Sequence, residues 1–174
     1  IRDRHSIGKV KAFYGNFLVL VKAYAYILRL GEEGLRKVAQ QAVLNANYLR
    51  EKLKDNYSLA SSKRCMHEVV LSCSHQKDKG VTALDIAKRI IDFGIHPPTM
   101  YFPLIVKEAL MIEPTETESK FTLDYFIDVM RRIAEEIDSY PQKFKDYPLT
   151  TPVRRVNETY AARFPNLRWK KSGE

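Results

Sequence analysis

The sequence contains little cysteine: its 174 residues include only Cys65 and Cys73. The segment that carries both has the composition of one extended strand, in which eight residue steps span roughly 26 Å. A disulfide requires Cα atoms within about 7 Å of each other. We therefore expect two reduced thiols and a cytoplasmic protein.

The sequence also lacks a long uninterrupted apolar run. The longest one, residues 17–30, contains Lys22 and Arg29 and is shorter than the roughly 20 residues that cross a bilayer. The chain starts at Ile1, with no initiator Met and no charged-then-apolar leader. We expect no membrane span and no signal peptide, and a start that fits a fragment at least as well as a complete protein.

Positive charge is concentrated at the two ends of the chain, and the net charge of the whole chain is +8. Residues 1–64 carry 13 Lys and Arg against 5 Asp and Glu, residues 65–139 carry 8 against 13, and residues 140–174 carry 8 against 3. A nucleic-acid-binding protein more often gathers basic charge on one element with interleaved aromatics. The distribution favours surfaces that meet protein, and a nonenzymatic basic module that binds nucleic acid or protein stays an alternative.

Hydrophobic periodicity predicts an α+β fold with helices packed on one face of a small sheet. Asn16 is expected to cap a first helix that is apolar nearly all round, is buried on most sides and ends at Gly31. The next predicted elements are a helix at 32–53, strands at 57–61 and 67–73, and a turn at 74–80. A helix at 83–93 follows between Thr82 and Gly94, and then an extended segment at 95–103 and a strand at 109–113. The last predicted helix starts at a Thr115–Glu118 capping box and ends near 139.

A metal site is considered on the predicted strand at 67–73 and its flanks. Cys65, His67, Cys73 and His75 share one face of such a strand, but the two pairs lie roughly 26 Å apart. Zinc requires its ligands within about 2.3 Å of one point. The spacing therefore predicts no metal site.

Two proline-marked stretches are the densest clusters of polar groups. His96 and Thr99 flank two prolines, and Glu113 and Thr115 flank a third. Consecutive prolines fix φ and hold neighbouring side chains in a set direction. A rigid connection followed by a capped helix explains the same residues and stays open.

The glycine at the start of the first helix allows two interpretations. Gly15 and Asn16 could form a phosphate-binding turn, because a helix N-terminus offers free N–H groups. A simple helix cap explains the same two residues, and the spacing alone favours it.

Five runs stand out in order along the chain: GNFLVLVKAYAYI (15–27), AVLNANYL (42–49), HEVVLS (67–72), DIAKRIIDFGIHPPTMYFPL (85–104) and ALMIEPTETES (109–119). They resemble stretches of the glycine dehydrogenases (decarboxylating), the P-proteins of the glycine cleavage system. LNANYL and EPTETES are the specific runs. The GNF start and the tail TPVRRVNETYAARFPNLRW (151–169) resemble subunit 2 of the two-subunit enzymes.

The resemblance implies the C-terminal small domain of an aspartate-aminotransferase-like (fold type I) enzyme with pyridoxal 5'-phosphate as cofactor. In the family, glycine loses its carboxylate as CO₂ and its aminomethyl group passes to the lipoyl arm of H-protein. The lysine that holds the cofactor lies upstream, in a His-Lys context that no lysine here has. We therefore expect this chain alone to be inactive and to hold no cofactor.

Domain organisation and partners follow from the same resemblance. It implies a segment over 1–15 that leads in from a missing large domain, the small domain over 16–139, and a basic docking tail over 140–174. The implied partners are subunit 1 of the P-protein, lipoylated H-protein and glycine, with no membrane. We also expect the fragment to self-associate, because its apolar first helix would lose its partners.

In many enzymes of this fold type an arginine in a late strand grips the substrate carboxylate. The corresponding strand here, 109–113, has none. An ion pair would stabilise the carboxylate that must leave, which does not lower the barrier. The residues expected to border the pocket are His96, Thr99, Glu113 and Thr115, with Gly15 and Asn16 at its floor.

Overall fold

The computed structural model describes residues 5–11, 13–169 and 171, and the chain divides into two compact units between Gln40 and Gln41. Helix α1 (Phe17–Leu53) begins in the first unit and is interrupted at Gly31, where φ is +63°. This is the left-handed conformation that glycine adopts most readily. The predicted stop at Gly31 is therefore confirmed as a break between two helical stretches. Within the described residues, no helix is both long and apolar enough to cross a membrane.

The first half of α1 is capped as the sequence predicts but is not buried. Asn16 accepts a hydrogen bond from the Val19 amide on its side-chain oxygen, at 3.2 Å. Every side chain from Phe17 to Arg29 is exposed, and Leu18 keeps 75% of its surface. The prediction of a helix buried on most sides is wrong for this structure, because among the described residues no layer covers these positions.

The sheet consists of four short antiparallel strands in the order β1-β2-β4-β3. Their bounds are β1 (Ser58–Leu59), β2 (Val69–Ser72), β3 (Thr99–Met100) and β4 (Ala109–Ile112). The three strands predicted from the sequence are present in shortened form, and β3 lies in the segment predicted to be extended. The pairing of Val69 with Ile112 and of Leu71 with Leu110 puts four aliphatic side chains on one face.

Helices cover this aliphatic face, which confirms the predicted α+β fold. The covering elements are the end of α1, α3 (Ala83–Asp92), α4 (Lys120–Ser139) and a 3-10 helix (Pro141–Lys145). The helical side chains that share one core with the sheet include Leu49, Leu53, Ile86, Ile90, Leu123, Ile127, Met130, Ile133, Ile137 and Phe144. The opposite face of the sheet carries half-buried side chains such as Val70 and Met111.

The ends of α3 agree with the sequence predictions, whereas the start of α4 does not. The Thr82 cap of α3 is confirmed, with Asp85 completing a capping box, and Gly94 follows the helix at φ +73°. The predicted start of α4 at Thr115 is wrong. Ser119 caps α4 by accepting from the Thr122 amide, because the Thr115 carbonyl closes a separate turn with the Glu118 amide.

Two short helices lie where the sequence predicted no helix. The stretch predicted as a turn at 74–80 contains α2 (Ser74–Asp78). The tail contains α5 (Glu158–Arg163), which Asn157 caps and whose residues are exposed. Such short helices carry too few residues to show a hydrophobic period.

A buried ion pair connects α3 to α4. Arg89 donates two hydrogen bonds to Glu136, at 2.8 and 2.9 Å, and the two side chains keep only 14% and 5% of their exposure. Phe93 and Tyr147 lie against the guanidinium, with ring centroids at 4.6 and 4.3 Å. Burial raises the pKa of the Glu136 carboxyl, but the hydrogen bonds from Arg89 outweigh this effect and hold that pKa below its ordinary value.

Two further carboxylates of α3, those of Asp85 and Asp92, bind the start of the basic tail. Asp85 accepts from Lys145 at 2.6 Å and pairs with Arg155 at 2.7 Å. Asp92 accepts from the backbone amides of Leu149 and Thr150. Both carboxylates are nearly inaccessible, so this part of the tail packs onto its own chain.

Two asparagines of α1 hold two loops. Asn45, which is 2% exposed, donates to the Thr115 carbonyl at 2.9 Å. Asn47 donates to the Cys65 carbonyl at 2.7 Å and accepts from the Cys65 amide at 3.2 Å. The asparagines of the LNANYL run therefore position the loop at 113–119 and the loop at 60–68.

Replacing Arg89 by alanine is expected to lower the free energy of unfolding by about 1–3 kcal/mol, because the buried Glu136 would lose two of its hydrogen bonds and keep only the one from the exposed Arg132. Urea unfolding followed by circular dichroism measures the change. The control is Lys79→Ala, which breaks an exposed pair with Asp138 and should change stability by less than about 1 kcal/mol. Equal losses in the two variants would contradict the role of the buried pair.

Replacing Asn45 or Asn47 by alanine should loosen one loop each. Asn45→Ala removes one of two donors to the Thr115 carbonyl, which keeps the Glu118 amide, at an expected loss of about 1 kcal/mol, and should speed amide exchange at 113–119. Asn47→Ala should speed exchange at 60–68 instead. Hydrogen exchange followed by NMR distinguishes the two patterns, and each variant is the control for the other. Identical exchange patterns would show that the asparagines only support the core.

Candidate functional site

A cavity of about 440 Å³ lies where the two proline-marked stretches meet the first turns of α4. Both stretches are short connections next to sheet strands, so the sheet fixes their positions. Thr99 pairs directly with Met111 across β3 and β4. The residues that line the cavity are Leu49, Ile95, His96, Pro97, Pro98, Thr99, Met111, Ile112, Glu113, Pro114, Glu118, Thr122, Leu123, Tyr125 and Phe126.

Three of the predicted site residues, His96, Thr99 and Glu113, line this one cavity. All three are exposed, and within the described part of the chain no hydrogen bond or ion pair engages their side chains. The prolines beside them fix φ and limit backbone movement. The cavity therefore offers an imidazole, a hydroxyl and a carboxylate that are held in place and free to bind.

The N-terminal part of α4 and the turn before it supply polar groups that the sequence analysis did not assign to the pocket. Glu118, Thr122 and Tyr125 line the cavity, and the Tyr125 hydroxyl donates to the Phe93 carbonyl at 2.9 Å. Thr122 and Tyr125 are three residues apart within α4, a spacing that puts side chains on one face of a helix. That spacing is the signal that could have identified them.

The charge of the cavity is negative. Among the described residues, its lining contains the carboxylates of Glu113 and Glu118 but no lysine and no arginine. Coulomb attraction therefore favours a cationic group in the cavity, and repulsion disfavours an anionic one. Such a lining can receive an ammonium group and leaves a carboxylate without an ion-pair partner.

The other predicted site residues lie outside this lining. Thr115 shares a hydrogen bond with Thr117 through its hydroxyl and with Asn45 through its carbonyl, so it supports the loop that carries Glu113. Gly15 and Asn16 belong to the first unit, where Asn16 caps α1. Their position at the pocket floor stays a prediction.

The residues with the geometry of a metal site differ from those weighed in the sequence. Within the described residues, His67, Glu68 and Glu113 place potential ligand atoms within 4.8 Å of one another. Cys65 and Cys73 are free thiols. Burial raises the pKa of Cys73 to about 12 and also raises the pKa of Cys65, so neither is suited to act as a thiolate nucleophile or ligand.

Comparison with known proteins agrees with the sequence resemblance. The family model for the C-terminal domain of glycine dehydrogenase matches residues 38–150. Proteins named probable glycine dehydrogenase (decarboxylating) subunit 2 are similar to this chain: those of Caldanaerobacter subterraneus and Treponema denticola are 58% and 60% identical over 166 residues, which is 95% of this chain and 34% of each relative.

The corresponding protein of Thermotoga maritima is 54% identical over 166 residues, with 95% of this chain and 35% of the relative covered. The chain thus spans about a third of the length of these relatives. Because the family model covers well over half of the chain, the chain belongs to the glycine dehydrogenase family and contains its C-terminal domain.

Proposed function

We propose that this chain forms the substrate-side wall of a glycine decarboxylase, as part of a longer protein. The observation that carries the proposal is the cavity itself. Its wall brings together the two family-specific stretches around His96 and Glu113, with free polar groups and no basic residue. Relatives named glycine dehydrogenase (decarboxylating) subunit 2 support the reaction, which is the release of CO₂ from glycine.

The absence of basic residues from this lining suits a decarboxylation. Glycine carries an ammonium and a carboxylate, and Glu113 and Glu118 attract the first and repel the second. An arginine would stabilise the carboxylate in the ground state and oppose its departure. The cavity thus orients glycine by its ammonium end and leaves its carboxylate free to leave.

Two further polar groups complete the proposed wall. Thr99 offers a hydroxyl that can donate or accept, and His96 offers the two nitrogens of its imidazole ring. Pro97 and Pro98 between them keep the spacing constant. We assign His96 and Thr99 to binding and orientation of substrate, and Glu113 to attraction of its ammonium group.

The cavity does not fit pyridoxal phosphate on its own. A Schiff base needs a lysine, and a phosphate group is usually held by cations or free N–H groups. In the part of the chain that the structure describes, no lysine or arginine lines the cavity. The cofactor is accordingly assigned to the part of the longer protein that this chain does not contain. The chain contributes the groups that face glycine.

The proposed partners follow from the same assignment. The name subunit 2 in the relatives supports a subunit 1 that completes the enzyme, and lipoylated H-protein is the proposed acceptor of the aminomethyl group. The exposed apolar side chains of residues 17–29 support contact with further polypeptide, and they make self-association of the isolated chain the expected outcome.

Thr99→Ala and Glu113→Gln, made in the complete two-subunit enzyme, should lower the rate of glycine decarboxylation by roughly tenfold or more, since each removes a polar contact with substrate. Release of labelled CO₂ from carboxyl-labelled glycine measures the rate, and absorbance titration measures cofactor binding. The cofactor affinity should change much less than the rate.

Matched controls are Thr159→Ala and Glu135→Gln, two exposed residues outside the cavity. They should leave the rate and the cofactor affinity unchanged. Unchanged kinetics in the Thr99 and Glu113 variants would refute the proposed wall.

The isolated chain should form no Schiff base with pyridoxal phosphate at a defined lysine. Borohydride reduction followed by peptide mass spectrometry tests this expectation, and the complete two-subunit enzyme is the positive control. One stoichiometric, site-specific lysine adduct in the isolated chain would overturn it.

A further inference from the structure

A second cavity, of about 380 Å³, lies beside the loop that joins β1 to β2. It shares no lining residue with the cavity of His96 and Glu113, so its interpretation does not depend on the proposed function. Its lining consists of Arg50, Leu59, Ala60, Ser61, Lys63, Arg64, Cys65, Met66, His67, Glu68, Val69 and Val70.

Three basic side chains line this cavity, and one of them has an unused donor. Arg50 keeps only 11% of its side-chain exposure. It donates to the Ser62 carbonyl at 2.6 Å and contacts Glu51, yet its Nε is buried without an acceptor. A buried donor without a partner is rare in proteins and requires an explanation, of which an unseen water or ion is one.

The other two basic side chains, Lys63 and Arg64, are exposed. Within the described part of the chain neither forms a side-chain hydrogen bond or ion pair. The single acidic side chain of the lining is Glu68, which lies 3.9 Å from His67. Arg50 is paired with Glu51, whereas Lys63 and Arg64 leave the cavity with two cations that no acidic side chain pairs with.

The loop that carries these charges is held in place. Asn47 fixes the Cys65 backbone with two hydrogen bonds, and the Ala60 amide donates to the Val70 carbonyl at 3.1 Å where the loop begins. A loop fixed at both ends loses little entropy when a ligand binds. The site is thus preorganised.

We propose that this cavity binds a phosphate monoester, with the phosphate between Arg50, Lys63 and Arg64. A phosphate group can accept from both unpaired cations, Lys63 and Arg64, and guanidinium groups bind phosphate oxygens well. The side chains of Leu59, Met66 and Val70 form the apolar part of the lining. They select an ester with an apolar body over free phosphate, because burial of apolar surface adds to binding.

The test is an NMR titration of the full chain with inorganic phosphate and with phenyl phosphate, at constant ionic strength so that screening does not change. The expected result is saturable shifts of the amides of residues 60–68, with phenyl phosphate binding several-fold more tightly. Lys63→Ala/Arg64→Ala should weaken binding at least about tenfold, because charged hydrogen bonds are the stronger ones. The single variants Lys63→Ala and Arg64→Ala should each weaken it less.

The control is the double variant Lys107→Ala/Arg154→Ala. It removes the same charge from two exposed residues that have no side-chain partner within the described chain and lie outside the cavity. It should bind both ligands with unchanged affinity. Equal weakening by the two double variants would reduce the effect to net charge and overturn the proposal, as would shifts that do not saturate. Equal affinities for the two ligands would overturn the selection of an apolar ester.

Discussion

The buried pair of Arg89 and Glu136 constrains the packing of the helical layer. Two charges out of water are stable only when each meets the other in good geometry, and here the two hydrogen bonds are short and parallel. Apolar contacts alone would let α3 and α4 shift along each other, whereas the ion pair forms in only one relative position of the two helices. The rings of Phe93 and Tyr147 against the guanidinium extend the constraint to the segment after α4. The ion pair thereby also positions one wall of the cavity of His96 and Glu113, because α4 supplies part of that wall.

Much of the fold could be predicted from local sequence signals. Thr82 with Asp85, and the glycines at 31 and 94, define helix ends through short-range backbone chemistry. The start of α4 could not be predicted in the same way. Thr115 and Ser119 are both capping residues, and the choice between them depends on Asn45, which lies 70 residues away in the sequence. The burial of the first helix was predicted from its apolar composition alone, whereas its side chains are exposed.

The candidate site, like the fold, could be predicted only in part from the sequence. The family resemblance led to the prediction that His96, Thr99 and Glu113 share a wall, and the prolines beside them predicted rigid connections there. The contribution of Phe126 could not be predicted, since an aromatic at helical spacing more often belongs to the core. The cavity beside Lys63 was missed because its charges lie in a loop without a motif. Its signal is tertiary: a buried guanidinium nitrogen that has no acceptor.

Asn45 and Asn47 have a consequence for how this family can vary in sequence. They lie on one turn of a helix, so the covalent geometry of that turn sets the spacing of the two loops they hold. Contacts between the loops are not needed for this purpose. Substitutions within one loop can therefore accumulate without displacing the other, as long as both amides remain. One rigid turn thus lets the two loops, each beside a proposed binding surface, evolve independently.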